Sequence, residues 1–477
     1  MGNPVSSIAR EFASLKLGDG RLNERVHRVM ERLCLAPDLG FPRALKTEKE
    51  TEGFYRLLAN PKVRYGMLVE AHARQTVGRM QQGSTVRIIH DTTELSFGGD
   101  SDSREGLGRL RSEGKRGFYA HVAFAVDGTP YAKPIGTVGA ICWARTAARR
   151  KSRKLSGGEL SKIVDKESLR WPALVEEVEG LIDGKCSAIH LMDREGDSFP
   201  LFCSLKKRNA RFVIRMARDR VVESENERMR LSEAVVSLPK HLEREVPLSR
   251  RSAKTMPHSA HGQRQARVAK LSVSAGKVAL QRPRYCDDDL PEELLVNVVY
   301  VQEIDAPEGT DAVAWVLVTT ESIETPEQIA AVVDHYRARW LIEEFFKALK
   351  TGCAFERRQL ESFDSLTKAL ALFFPIAWQM LLLRTTSRID PNASASQVLT
   401  PTQMAVLRHY QQQKMPAHGA TVKDALYAVA GLGGHLKNNG PPGWRTLAYG
   451  MQELTSLVDA WEAAIANQGK KAARYDQ

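Results

Sequence analysis

The stretch HYRARWLIEEFFKALK, residues 335–350, sets two adjacent glutamates among aromatic and cationic residues at helical spacing. With ~100° per residue and Tyr336 as zero, Arg339 falls at about −60°, Glu343 at about −20°, Lys347 at about +20° and Lys350 at about −40°. These five share one stripe, while Leu341, Ile342, Phe345, Ala348 and Leu349 cluster opposite and Glu344 falls toward the margin. Glu343 is therefore the reactive candidate. A solvated charged face on an ordinary amphipathic helix gives the same pattern, so this helix decides nothing alone.

Two further acids have a shared context. VRIIHD delivers Asp91 and AIHLMD delivers Asp193, each directly after a run that reads as a core strand. An acid at the carboxyl end of such a strand is held rigidly at the sheet rim, where α/β proteins place their sites. A turn or helix cap is the simpler use of one such aspartate. Two of them, in HDTTEL and MDREGD, point with Glu343 to a site for hard divalent cations, which take carboxylate oxygens and keep positions open for substrate phosphate. Cations beside such a site suit a phosphodiester, and two metals can activate the attacking oxygen and stabilise the leaving one.

Composition agrees with a polyanionic partner. The 477 residues carry a net charge of +12 and a pI near 9.4, which makes nucleic acid the first candidate. The length predicts two or three domains. Six scattered cysteines, with no Cys-x-x-Cys pair, predict neither a disulfide framework nor a structural zinc site. MGNPVSSIAREF lacks an apolar signal region, and the apolar run LTKALALFFPIAWQMLLL reads as too short and proline-broken to span a bilayer. The expectation is a reduced, cytoplasmic protein with no membrane partner.

The elements that must position these residues follow from spacing and breakers. RLNERVHRVMERL places Leu22, Val26, Val29 and Leu33 on one helical face and Arg21, Arg25, Arg28 and Arg32 on another, a cationic face for solvent or for DNA phosphates. TVRIIHD, AHVAFAVDG and IGTVGAICW predict a three-stranded meander, interrupted by the basic loop REGLGRLRSEGKRG and followed by the basic run RTAARRKSRK. A helix near 168–182, the strand SAIHLMD, a helix near 198–207 and the strand RFVIRMA complete a mixed α/β sheet. Residues of about 230–320 read as a β-rich insertion, and the chain beyond about 365 as helical.

At these residues the chain resembles the Asp-Asp-Glu transposases of bacterial insertion sequences, in particular the group with a Tyr-x2-Arg-x3-Glu-x6-Lys signature, whose best-known member is the transposon-five transposase. Tyr336, Arg339, Glu343 and Lys350 keep its spacing, DTTEL and DREGD resemble its aspartate motifs, and weaker similarity runs through LGDGRLNERV, EGFYRLLANPKV, VLTPTQ and GGHLKNNGPPGW. The resemblance implies an α/β fold: a ribonuclease-H-like mixed sheet core over 66–365 with the β-rich insertion, a helical DNA-binding region over 1–65 and a helical dimerisation region over 366–477. It implies that Asp91, Asp193 and Glu343 are catalytic and hold two Mg2+ ions, with Mn2+ as substitute. Tyr336, Arg339, Lys347, Lys350, Trp315 and Trp340, with Arg21, Arg25 and Arg28, become DNA-binding candidates. Trp315 matches the tryptophan on which the family stacks a flipped base, and Trp340 is a candidate wedge; an aromatic in an apolar strand is otherwise core. Phe118 and Tyr119 stand where the best-known member has two tryptophans.

The function implied is cut-and-paste transposition. A homodimer binds inverted-repeat ends, nicks, forms and resolves a hairpin, and joins 3′ ends to target DNA, in the bacterial cytoplasm and at the nucleoid when bound. Two other readings stay open: an inactive DNA-binding relative or inhibitor of transposition, and a metal-dependent nuclease on the same core.

Overall fold

The structure, a computed structural model, describes residues 8–35, 37–45, 47–98, 104–112, 114–145, 167–224, 227–248, 265–436 and 440–475. Nearly all of the basic run RTAARRKSRK lies outside them.

The amino-terminal helices are α1 (Gly20–Leu35), α2 (Phe41–Ala44), α3 (Glu48–Ala59) and α4 (Tyr65–Arg79). Leu22, Val26, Val29 and Leu33 are buried, as the spacing of α1 demands, and Thr47 caps α3 by accepting from Glu50 N–H. These helices share a core with the rest of the chain. The buried Arg358 guanidinium donates to the carbonyls of Pro37, Leu39 and Cys353 between the rings of Phe41 and Phe373. Buried Lys368 donates to Leu58 O at 2.8 Å.

Among the described residues twelve strands form one sheet. Its order is β2 (Gly108–Arg109), β3 (Arg116–Asp127), β1 (Thr85–Ser96), β5 (Ser187–Met192), β6 (Arg211–Arg215), β12 (Ala314–Thr319), β11 (Glu293–Ile304), β10 (Arg267–Gln281), β7 (Val221–Ser224) and β8 (Glu227–Arg230), with β4 (Pro134–Trp143) against β3 and β9 (Lys240–Leu248) against β10. The meander is β1 (Thr85–Ser96), β3 (Arg116–Asp127) and β4 (Pro134–Trp143), and β2 (Gly108–Arg109) lies within the basic loop. Then come α5 (Arg170–Ile182), β5 (Ser187–Met192), α6 (Phe199–Lys207) and β6 (Arg211–Arg215). β1, β5 and β6 are parallel neighbours, the arrangement expected of a strand–helix–strand unit.

The insertion contains β7 (Val221–Ser224), β8 (Glu227–Arg230), α7 (Leu231–Ser237), β9 (Lys240–Leu248), β10 (Arg267–Gln281), β11 (Glu293–Ile304) and β12 (Ala314–Thr319). It begins earlier than expected and does not stand apart. β12 pairs with β6 through Leu317, Val318 and Thr319, so the insertion continues the core sheet.

The glutamate stretch departs from one continuous helix. α8 (Pro326–Ala338) ends at a break over Arg339 and Trp340, α9 (Leu341–Lys347) follows, and Ala348–Gly352 forms a π-helical turn. Through the break the amides of Arg339, Trp340, Ile342 and Glu343 bond three residues back, which overwinds the chain toward three residues per turn. The wide π turn then underwinds it, so a constant 100° step fails across Arg339–Glu343 and again beyond Lys347.

The helix α10 (Phe363–Ile389) runs straight through Pro375, where a break was expected. It is long and apolar enough to cross a membrane, yet 94% of its apolar window is buried inside the protein. Leu370, Leu372, Phe373 and Phe374 are buried on opposite sides of the helix, and burying each such side chain contributes about 1.5–3 kcal/mol, which offsets the ~3 kcal/mol of an interior proline. Helices α11 (Pro401–Tyr410), α12 (Val422–Leu432) and α13 (Trp444–Tyr475) complete the chain.

Candidate active site

Strand alternation aims both aspartates at one face. Along β1, Val86 and Ile88 pack with Leu174 and Val178 of α5, whereas Ile89 joins the cluster that holds Ile342 and Phe345 of α9. A period of two puts Asp91 on the α9 side with Ile89, and Asp193 with Ile189 and Leu191. Parallel pairing of β1 with β5 ends at His90 and Met192, so the next residues, Asp91 and Asp193, lie level at its limit. Asp193 follows its strand directly, as expected. Asp91 does not end β1, which runs on to Ser96 paired only with β3.

Arg339 ties this rim to the glutamate. Its Nη1 donates to Asp91 Oδ2 at 2.9 Å and its Nη2 to Glu343 Oε1 at 3.0 Å. Asp91 Oδ1 accepts from Thr92 N–H at 2.7 Å, and Asp193 Oδ1 from Glu195 N–H at 2.8 Å. Burial, and then the charge of Asp193, push the Asp91 carboxyl up to about 7 against the pull of Arg339. Burial likewise raises Glu343. For Arg339 burial works downward, but Tyr336, Asp91, Asp193 and Glu343 more than offset it and hold the guanidinium above its ordinary value. The carboxylates thus repel one another, a strain that cation binding relieves, and their hard oxygens suit divalent ions.

The other candidates separate. Tyr336 is buried with its ring edge-on to half-buried Trp315 at 5.5 Å between centroids. Lys350, whose ammonium burial pulls down, donates to Glu94 O at 2.5 Å. Lys347 leaves the predicted stripe: it pairs with Glu344 at 3.0 Å and lies 5.5 Å over the ring of Trp340. Glu344 is buried rather than marginal, and Trp340 is 51% exposed. Phe118 and Tyr119 are buried, Phe118 against Phe97 and Phe363 and Tyr119 against Trp143, which leaves neither ring free to meet DNA. Arg21, Arg25 and Arg28 line a cleft of about 340 Å³ with Arg32 and Lys49, far from the rim in the sequence but on one surface of α1 and α3.

Three features escaped the sequence reading. Arg215 follows Ile214, which pairs with Met192, so it stands beside Asp193; burial lowers it and Tyr336, Arg194 and Arg339 surround it. The one available signal was the basic residue closing RFVIR. Arg111 of the basic loop reaches Glu195 of DREGD at 2.6 Å. Behind the sheet, His90 and His190 share a hydrogen bond of 2.8 Å, and His121, held near 3 by burial, bonds Thr92 Oγ1 at 2.9 Å.

Residues 6–63 match the model of a transposase DNA-binding domain, and residues 170–376 match that of a transposase DDE domain. The chain carries both domains. Together they support a DNA transposase, a nucleic-acid-processing enzyme that binds DNA ends, and the DDE domain accounts for the ribonuclease-H-like sheet. Domains of this transposase type generally use divalent metal ions. The DDE match spans Asp193 and Glu343, whereas Asp91 lies upstream of it on β1.

Proposed function

We propose that the protein is a cut-and-paste transposase of the Tyr-Arg-Glu-Lys group, with Asp91, Asp193 and Glu343 as its catalytic carboxylates. The observation that carries this is the Arg339 bridge, which joins a β1 aspartate to the glutamate signature across 248 residues of chain at the rim where Asp193 also lies.

In this reading the three carboxylates hold two Mg2+ or Mn2+ ions, which when bound polarise the scissile phosphate and activate the attacking oxygen. Arg339, Lys350 and Arg215 grip phosphates on either side of the scissile bond. The indole of Trp315 receives an unstacked base during hairpin formation, with Tyr336 steadying its edge and exposed Trp340 acting as the wedge. Lys347 then serves DNA from beside Trp340 rather than from the carboxylate stripe. Arg21, Arg25 and Arg28 meet the phosphates of the inverted-repeat end. The helical region beyond about 365 brings two copies into a homodimer that pairs two ends and inserts them into target DNA.

The test is strand transfer. Duplexes bearing the inverted repeats that flank the gene, incubated with protein, Mg2+ and a supercoiled target, should give hairpin-ended intermediates and joined products. Binding with neither product favours an inactive relative; cleavage of branched DNA without joining favours the nuclease.

A further inference from the structure

Asp91 and Glu343 do not face each other directly, because Arg339 stands between them. It uses one Nη for each, at 2.9 and 3.0 Å, and only 13% of its side chain is exposed. Thr92 N–H engages the remaining Asp91 oxygen. Among the described residues no group of three His, Cys, Asp or Glu is arranged to hold a metal ion as the side chains stand. A guanidinium fork spreads its two carboxylates over separate nitrogens, whereas an ion such as Mg2+ draws its oxygen ligands to about 2.0–2.1 Å. Each oxygen keeps a second lone pair, but the guanidinium standing between the two acids occupies the position an ion shared by them would take.

We propose that Arg339 is the resident counter-ion of the carboxylate cluster and competes with divalent cations for Asp91 Oδ2 and Glu343 Oε1. Metal then enters as the guanidinium leaves, and a DNA phosphate is the partner that draws it away. The inference rests on the reading of these carboxylates as metal ligands. It makes metal and DNA binding mutually reinforcing, each strengthening the other by the same factor. The signature arginine is thereby more than a phosphate clamp, because it sets the order in which the site fills. Its position favours the exchange: Arg339 lies at the break between α8 and α9, beside Arg215 and Tyr336.

The experiment uses the full chain, stripped of metal with chelator and free of DNA, titrated with Mn2+ while free ion is read by electron paramagnetic resonance. Wild type is compared with R339Q, R339K and D91N, and melting temperatures are recorded with and without Mn2+. R339Q should bind Mn2+ on the order of tenfold tighter than wild type. It should also melt lower without metal and gain more from it. R339K keeps the charge without the fork and should fall between. If R339Q does not fold, R339K against wild type decides by the same criterion. Equal or weaker Mn2+ binding in the folded variant, with binding lost in D91N, overturns the counter-ion role alone. Mn2+ binding that D91N leaves unchanged overturns the metal-ligand reading and the counter-ion role with it.

Discussion

Asp197 and Arg220 form a fully enclosed ion pair four residues beyond Asp193, with Asp197 Oδ1 accepting from Arg220 Nε at 3.0 Å and Nη2 at 2.5 Å. Its Oδ2 accepts from the amides of Ala217 and Arg218, both at 2.7 Å. The last acid of DREGD therefore fastens the turn after β6, where the insertion begins, to the segment carrying Asp193. Asp197→Ala strands a buried guanidinium and two amides and should cost about 3–5 kcal/mol. Urea unfolding measures it; a loss below about 1 kcal/mol would mean that water replaces the carboxylate.

Glu343 and Glu344 should part company on substitution. Glu343→Ala should stop cleavage and leave DNA binding in place. Glu344→Ala should keep cleavage and cost about 1 kcal/mol, since its Lys347 partner is half exposed. Comparing the two in one cleavage assay settles which glutamate does chemistry; the reverse outcome would return the assignment to Glu344.

Much of this site was legible in the sequence, and the failures have physical causes. Asp91 and Asp193 were legible as acids directly after apolar strand runs, and Asp91 keeps that place at the limit of the β1–β5 pairing even though β1 overran its expected end. Helical phase joined Arg339 and Glu343, one turn apart, despite the three-residue bonds between them, and it lost Lys347 because that half-exposed side chain pairs with Glu344 and lies over Trp340 instead. Arg215 and Asp197 were invisible because their roles depend on strand pairing and on a turn distant in the sequence. That the insertion would continue the core sheet was not legible, because nothing in its own alternation says that β12 will pair with β6.

Acid should destabilise the protein through Glu11, His72 and Arg79. Glu11 is buried; burial would push its carboxyl up, but His72 at 2.8 Å and Arg79 at 2.7 Å more than offset this and hold it below its ordinary value. Burial lowers His72, whose Nε2 accepts from Thr137 N–H at 3.2 Å, so the ring is neutral and donates from Nδ1. Both groups bind fewer protons folded than unfolded, so their contribution is complete above the unfolded histidine value of about 6.5 and declines as pH falls below it. Each proton involved adds a slope of up to about 1.4 kcal/mol per pH unit. Unfolding midpoints from pH 7.5 to 4.5 should fall, and His72→Asn should flatten the upper part; a parallel curve for the variant would assign the acid sensitivity elsewhere.

Trp315→Ala should nick DNA ends nearly normally yet accumulate nicked, unhairpinned product, since stacking a displaced base on an aromatic ring supplies about 1–3 kcal/mol. An abasic site at the displaced position should restore hairpins in part. Joint loss of nicking and of the folded state would instead make the Trp315–Tyr336 contact a packing element.

Charge on α1 should appear in salt dependence. Replacing Arg21, Arg25 and Arg28 singly with glutamine should each lower the slope of log K against log salt by up to about 0.9 for every phosphate that is no longer neutralised. Filter binding between about 50 and 200 mM salt suffices for the measurement, and unchanged slopes for all three would leave this face in solvent.

The central claim is that Asp91, Asp193 and Glu343 form one metal-dependent site. Mg2+-dependent nicking of an end-bearing duplex tests it most directly, with gel-shift binding of the same duplex as the control for folding. Each of Asp91→Ala, Asp193→Ala and Glu343→Ala should nick at background while binding the duplex within a few-fold of wild type. Normal nicking by any one of the three would contradict the account.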